Sequence, residues 1–132
     1  MKNISLVGTI VLVMLIFFGC RPTTPTPTPT RTPIQLETKN PHIRGQIINV
    51  YTSGGKITGI LVEGGKETDT VYDKAIVGIN NETHIYFNTD GNFMDADSNL
   101  LEEGQTVEVL FTGPIQTSDP VQAIAIEIII LK

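Results

Sequence analysis

The sequence has no tryptophan and only one cysteine among its 132 residues. A single cysteine excludes an internal disulfide framework and any zinc or iron–sulfur centre built on several thiolates. Basic residues are also scarce, since nine Lys and Arg face 14 Asp and Glu and leave a formal charge of -5. Nucleic acid is therefore a poor candidate partner, because phosphate binding needs clustered basic side chains. The length suits one domain rather than two.

The N-terminal segment has the layout of a secretory signal peptide. Lys2 supplies a short positive region, residues 10–18 form an uninterrupted apolar run, and the small residue Gly19 precedes Cys20. This apolar run is too short for a comfortable membrane span, which needs about 20 residues. We therefore assign residues 1–19 to a signal peptide.

The only cysteine stands directly after this segment. Residues 17–20, Phe-Phe-Gly-Cys, resemble a bacterial lipobox, in which a peptidase cuts before the cysteine and the cysteine carries lipid. The pattern predicts lipidation of Cys20 and a protein that is extracytoplasmic and lipid-anchored to the cell membrane. Cleavage by the ordinary signal peptidase, or an uncut anchor, are the alternatives. A catalytic thiol is disfavoured, because no fold surrounds Cys20 to lower its pKa.

Residues 20–41 combine this cysteine with a linker rich in proline and threonine. Five of the eight prolines lie within residues 21–33 and alternate with threonine. Proline fixes φ and has no N–H to donate, so this stretch is predicted to be an extended, semi-rigid spacer. Its threonines also allow O-glycosylation, and recognition by a proline-binding domain is a weaker alternative.

The remaining domain, residues 42–132, is clearly acidic. The three basic residues before position 34 are accompanied by no acid, so residues 34–132 contain six basic and 14 acidic residues, a formal charge of -8. Strand-like segments rich in β-branched residues alternate with glycine and asparagine turn signals. Strands are predicted at 42–51, 57–62, 71–79, 83–87 (or as a continuation of the third), 107–111 and 121–131, and one helical turn at 99–104.

This order predicts an all-β fold, a small five-stranded OB-like barrel with one short helical turn. Gly113 and Pro114 are expected to break the fourth barrel strand. The last strand is apolar on both faces towards its end, so it is expected to be central or buried. An open sandwich is the main alternative, although immunoglobulin-like sandwiches need about seven strong strands.

The C-terminal half also resembles a family, the YobA-like small secreted lipoproteins of Gram-positive bacteria. The pattern is L-x-x-G-Q-x-V-x-V, then G-P-I, a short spacer, P-x-Q-A and an alternating final strand. Asp119 stands before the spacer proline, where the family usually has an aromatic residue. The resemblance implies a lipid-anchored OB-like domain and brings no catalytic residues. The matching positions are Leu101, Gly104, Gln105, Val107, Val109, Gly113, Pro114, Pro120, Gln122 and Ala123.

The acidic loop 90–99 is the first candidate site. Asp95, Asp97 and Asn99 match the first half of the spacing of a calcium-binding EF-hand loop. Leu100 stands where the turn glycine belongs, and Thr106 where the bidentate glutamate belongs. A solvated, turn-rich loop is therefore the preferred interpretation, and these three residues are only weak metal candidates.

The two histidines, His42 and His84, are the second candidate. Two histidines without a third ligand at a suitable spacing do not make a zinc site, so no metal and no cofactor is predicted. No Ser-His-Asp or Cys-His motif is visible either. We therefore expect the protein not to be an enzyme.

A ligand surface on the barrel is the third candidate. Its possible members are the aromatic residues Tyr51, Tyr72, Tyr86 and Phe87. The alternative is that Tyr72 and Phe87 belong to the core while Tyr51 covers an edge. The expected partners are a peptide, a glycan, a cationic ligand or an envelope protein, and not nucleic acid.

These observations favour a non-enzymatic binding or accessory module at the cell envelope. One alternative is a metal-dependent envelope protein or enzyme, with calcium or zinc, built around loop 90–99 and His84. The other alternative is a purely structural spacer domain.

The role of Cys20 is testable. A Cys20→Ala variant should lose labelling by a radioactive or clickable fatty acid and should be misprocessed or released from the membrane, because the acceptor thiol is gone. Fractionation of membranes and immunoblotting measure both effects. Equal processing and equal membrane retention of the variant would contradict a lipid anchor at this position.

Overall fold

The computed structural model describes residues 34–37 and 39–132. The predicted signal peptide, Cys20 and the proline-rich linker lie outside the described residues. Within the described ranges, no helix has the length and apolar character of a membrane span. Seven strands and one short 3₁₀ helix make up this part of the chain. They are β1 (Ile43–Ser53), β2 (Lys56–Glu63), β3 (Lys74–Gly78), β4 (His84–Thr89), β5 (Asn92–Asp95), η1 (Ser98–Leu100), β6 (Thr106–Gln116) and β7 (Val121–Leu131).

Five of these strands close into a barrel. Going round the ring, the order is β1, β2, β3, β7, β6 and back to β1. All pairs are antiparallel except β3–β7, which is parallel. Closure gives each of these strands two neighbours over part of its length, which reduces the exposed edges of an open sheet. The predicted all-β, five-stranded OB-like barrel with a short helical turn is confirmed.

Strand β7 is the most extensively paired element. One of its sides pairs with β6, while its other side pairs first with β3 and then, from Glu127 onwards, with β4. Its inward side chains are buried because the strand has neighbours along its whole length. The expectation that the last strand is central is confirmed.

The core lies inside the ring and is almost wholly aliphatic. Its members recur at every second position of the strands, as the two-residue period of a strand requires. None of the described residues with a polar or charged side chain is buried. The largest fully buried side chains are Ile43, Ile47, Ile60, Val62, Val77, Val107, Val109, Ile128 and Ile130.

A hairpin outside the ring is the first difference from the expected fold. The loop predicted to be turn-rich contains β5, which pairs with β4. The turn between them is Asp90-Gly91, and both residues have positive φ, at 52° and 83°. These dihedrals belong to the tight hairpin turns that Asp-Gly favours. The Asp-Gly dipeptide therefore indicates a hairpin here rather than an irregular loop.

Strand β6 is the second difference. It does not end at Gly113-Pro114 but continues to Gln116, with a shift of its register against β7 between Thr112 and Gln116. Gly113 takes a φ of 69°, which absorbs this irregularity. The helical turn also forms earlier than expected, at Ser98–Leu100.

Two glycines allow β1 to cross close to the end of β2. A Cβ built on Gly64 would lie 2.1 Å from the carbonyl oxygen of Arg44, and one built on Gly45 would lie 2.3 Å from that of Glu63. Both obstacles are backbone atoms, which cannot rotate away. Near this crossing β1 pairs with β2 through Gln46 and with β6 through residues 43–46. Only glycine satisfies the packing at both positions.

Substitution of Gly64 should therefore destabilise the domain. We expect Gly64→Ala to lower the free energy of unfolding by about 1–3 kcal/mol or more, as for other overpacked sites. The matched control is Gly65→Ala, because no heavy atom lies within 4 Å of a Cβ built there. Urea unfolding followed by circular dichroism measures both variants. Equal unfolding midpoints of the two variants would contradict a clash between the new Cβ at position 64 and the backbone of Arg44.

Candidate ligand-binding face

One row of residues crosses the outer face of four strands of the ring. Tyr51 of β1 pairs with Gly59 of β2, Gly59 pairs with Gly78 of β3, and Gly78 pairs with Ile124 of β7. Paired residues point to the same face of a sheet. The four therefore form a line with two glycines in the middle and a large apolar residue at each end. We call this line the glycine row.

The large residues of the glycine row cover its glycines. Tyr51 Cδ2 lies 3.7 Å from the point that a Cβ on Gly59 would occupy. Ile124 Cδ1 lies 2.6 Å from the point that a Cβ on Gly78 would occupy. Even so, 37% of Tyr51 and 39% of Ile124 remain exposed. A side chain that covers a glycine lies against the sheet and turns its other side to solvent. The result is an apolar platform.

A cleft of about 270 Å³ adjoins the platform on the β7 side. Gln116 and Gln122 lie opposite each other across β6 and β7, so the cleft has two neighbouring side-chain amides. Neither amide makes a side-chain hydrogen bond with another described residue, whereas Gln105 makes two. These amides are available to a ligand. The residues that line the cleft include Ile76, Gly78, Pro114, Gln116, Gln122 and Ile124.

The platform and the cleft carry no charged side chain. The nearest charges towards the start of β3 are Lys74 and Glu63, a cross-strand pair whose Nζ and Oε2 atoms are 3.4 Å apart. This pair lies two rows from the glycine row, counted along β2 and β3. The face is therefore suited to an uncharged group.

The four aromatic residues expected to form a ligand surface lie on different parts of the barrel. Only Tyr51 belongs to the platform. Tyr72 stacks on Phe111 with a centroid distance of 5.8 Å and packs against the core. Phe87 also packs against the core, and Lys132 Nζ lies 4.0 Å from the centre of its ring. Tyr86 lies on β4, outside the ring.

The weak metal candidates have local structural roles. Asp97 caps η1, where its Oδ1 accepts a hydrogen bond of 3.0 Å from the backbone N–H of Asn99. Asp95 lies opposite Tyr86 in the β4–β5 hairpin. Within residues 34–37 and 39–132, no three His, Cys, Asp or Glu side chains are placed to hold a metal ion.

The two histidines lie in different surroundings. The ring of His42 stacks on Phe111, and its Nδ1 accepts a hydrogen bond of 3.1 Å from the Phe111 backbone N–H. His84 lies on β4 and stacks on Tyr86, at a centroid distance of 6.4 Å. The first histidine therefore joins β1 to β6, and the structure does not bring the two together.

Several titratable side chains lie around Tyr86 on the outer side of β4 and β7, and they form a second group apart from the platform. Burial raises the pKa of Glu127, which the charges of Lys39 and His84 partly oppose. Burial also raises the pKa of the Tyr86 hydroxyl, and the carboxylates of Glu127 and Asp95 add to this effect. This group lines neither the cleft at the platform nor the polar cleft beside η1.

Arg44 is the centre of an ion-pair cluster that no sequence motif predicted. Its guanidinium donates to Glu108 Oε1 at 2.7 Å, to Asp69 Oδ2 at 2.8 Å and to Glu67. Arg44 and Glu108 are opposite each other on β1 and β6, whereas Glu67 and Asp69 belong to the segment between β2 and β3. The cluster therefore fastens this irregular segment to the barrel.

The electrostatics of the cluster follow from these contacts. The hydrogen bonds, above all that to Asp69, raise the pKa of the Arg44 guanidinium above its ordinary value. The same hydrogen bond holds the pKa of Asp69 below its usual range. The single guanidinium is held by all three carboxylates, which leaves the cluster with a net charge of -2, and its role is to hold these segments together.

Comparison of the chain with protein-family models, curated proteins and solved structures finds no match. The candidate site therefore rests on this chain's own residues. Reasoning from the sequence found Tyr51 but missed Ile124, Gln116 and the ion-pair cluster. The available signal was the glycines inside strands, at positions 59 and 78, which face each other on neighbouring strands.

The Arg44 cluster predicts a pH dependence. Folding lowers the pKa of Asp69, so its ionised form stabilises the folded state. This contribution is fully present above the pKa of Asp69 in the unfolded chain, about 3.9. It is lost as the pH falls through the lower pKa of Asp69 in the folded protein. Asp69→Asn should therefore destabilise the protein at pH 7 and destabilise it less at pH 3.

Urea unfolding of both proteins at pH 7 and pH 3 measures the effect. The control is Asp90→Asn, which removes the same charge from an exposed turn outside the cluster. A difference between wild type and Asp69→Asn that stays constant with pH would contradict the assigned role of this carboxylate.

Proposed function

We propose that the protein is a lipid-anchored, extracytoplasmic binding module without enzymatic activity, and that its ligand lies on the platform formed by the glycine row. The observation that carries the proposal is the exposure of Tyr51 and Ile124 above two glycines on one open face. Apolar surface with a few adjacent polar groups is typical of ligand sites. OB barrels also bind ligands on the face of their second and third strands.

The N-terminal sequence supports the location. The lipobox-like Cys20 would hold the chain at the membrane, and residues 21–33 would reach roughly 40 Å if fully extended as polyproline. A semi-rigid spacer keeps the barrel accessible to an envelope protein, a peptide or a glycan. The resemblance to the YobA-like lipoproteins points to the same location.

The chemistry of the platform supports binding over catalysis. Tyr51 is its only titratable side chain, and acid–base catalysis usually needs two positioned groups with pKa values near the working pH. No observation favours the metal-dependent alternative built on loop 90–99. A structural spacer, the remaining alternative, would have no need of an exposed apolar platform beside free amides.

The proposal is tested by comparing stability in the envelope with stability after purification. A ligand that binds only the folded state stabilises it by mass action. In this test the full chain is heated and then treated with protease, which digests the unfolded protein. The temperature up to which the chain resists digestion should be about 5 °C or more higher in native envelopes than after purification in detergent. Ile124→Glu should abolish this increment, because it places a charge on the platform.

The matched control is Val71→Glu, since Val71 is also exposed but lies outside the platform. Each variant is compared with its own purified form, so an intrinsic loss of stability cancels. An increment that is absent from the wild type, or that persists in Ile124→Glu, would contradict a binding role for this face.

A further inference from the structure

Backbone recognition is excluded in the middle of the platform face. Every residue of β3 from Lys74 to Gly78 pairs with β2, and four of these five also pair with β7. A peptide that adds a strand to a sheet needs a free edge. Neither β2 nor β3 has a free edge along the glycine row, so a ligand over the middle of the platform must be recognised by side chains.

The side chains present also exclude two kinds of ligand. A charged ligand would meet no opposite charge, because Lys74 and Glu63 are already paired with each other and the platform is neutral. A purely apolar ligand such as an acyl chain would cover the amides of Gln116 and Gln122 and leave them without partners, which costs free energy. The face therefore fits a ligand that has both apolar surface and neutral hydrogen-bonding groups.

A sugar ring has this combination. One of its faces presents C–H groups, which pack on an aromatic or aliphatic surface, and its rim carries hydroxyls that both donate and accept hydrogen bonds. A side-chain amide offers a donor and an acceptor next to each other, which matches neighbouring hydroxyls. Tyr51 supplies a large rigid surface at small cost in conformational entropy.

We propose that the platform binds an uncharged oligosaccharide. One ring packs on Tyr51 and Ile124, and the hydroxyls of the adjoining ring hydrogen-bond to Gln116 and Gln122 in the cleft. The cleft, at about 270 Å³, is slightly smaller than a typical drug-sized pocket and suits one ring rather than a whole ligand. This inference rests on the proposed binding function and specifies its ligand class.

The test is calorimetric titration of the full chain, purified in detergent, with three neutral probes: chitotetraose, cellotetraose and maltotetraose. At least one probe should bind. Tyr51→Leu should weaken that binding about tenfold, because it keeps Gly59 covered but loses the aromatic surface, while Tyr51→Phe should restore it. Gln122→Ala should also weaken binding, and Val71→Ala should leave it unchanged.

The outcomes separate the inference from the proposed function. If none of the probes binds while Ile124→Glu still abolishes stabilisation in envelopes, the ligand class is wrong and the binding function stands. If a probe binds Tyr51→Leu as tightly as the wild type, the sugar does not pack on the platform and the inference is overturned. Tighter binding of neutral peptides than of any probe would also overturn it.

Discussion

The parallel pairing of β3 with β7 is the constraint on which the rest of the structure depends. It joins the first three strands to the last two and closes the ring, so the aliphatic side chains of five strands face one interior. Parallel strands need a long connection. Here residues 79–120 provide it, and they contain the β4–β5 hairpin, η1 and β6. The hairpin then covers the part of β7 that β3 does not reach.

This closure also creates the candidate site. Tyr51 and Ile124 are 73 positions apart in the sequence, yet the strand registers place them at the two ends of one row. The parallel pair brings β7 beside β3, and the extension of β6 past Gly113 brings Gln116 beside Gln122. The same geometry places the two amides next to the apolar platform. The candidate surface and the closure of the barrel therefore have one cause.

The local sequence predicted those parts of the fold that depend on short-range chemistry. The β-branched runs predicted β1, β2 and β7 to within two residues at each end, and the order of the strands predicted the barrel. The errors came from turn dipeptides whose effect on the chain depends on the neighbouring strand. Gly113-Pro114 ends many strands, but here the chain pairs with β7 again at Gln116, after a shift of register. Asp90-Gly91 makes a hairpin because β4 has a free side for β5.

The sequence by itself determined the acidic composition, the alternation that fills the core and the glycines at positions 45 and 64 that let two strands cross. These properties belong to single residues or to a period of two. Only the tertiary structure decided which exposed residues stand together: Arg44 with three carboxylates, and Tyr51 with Ile124 across two glycines. The physical reason is that exposed side chains follow no period of their own. Their neighbours are set by register between distant strands, which the buried residues fix.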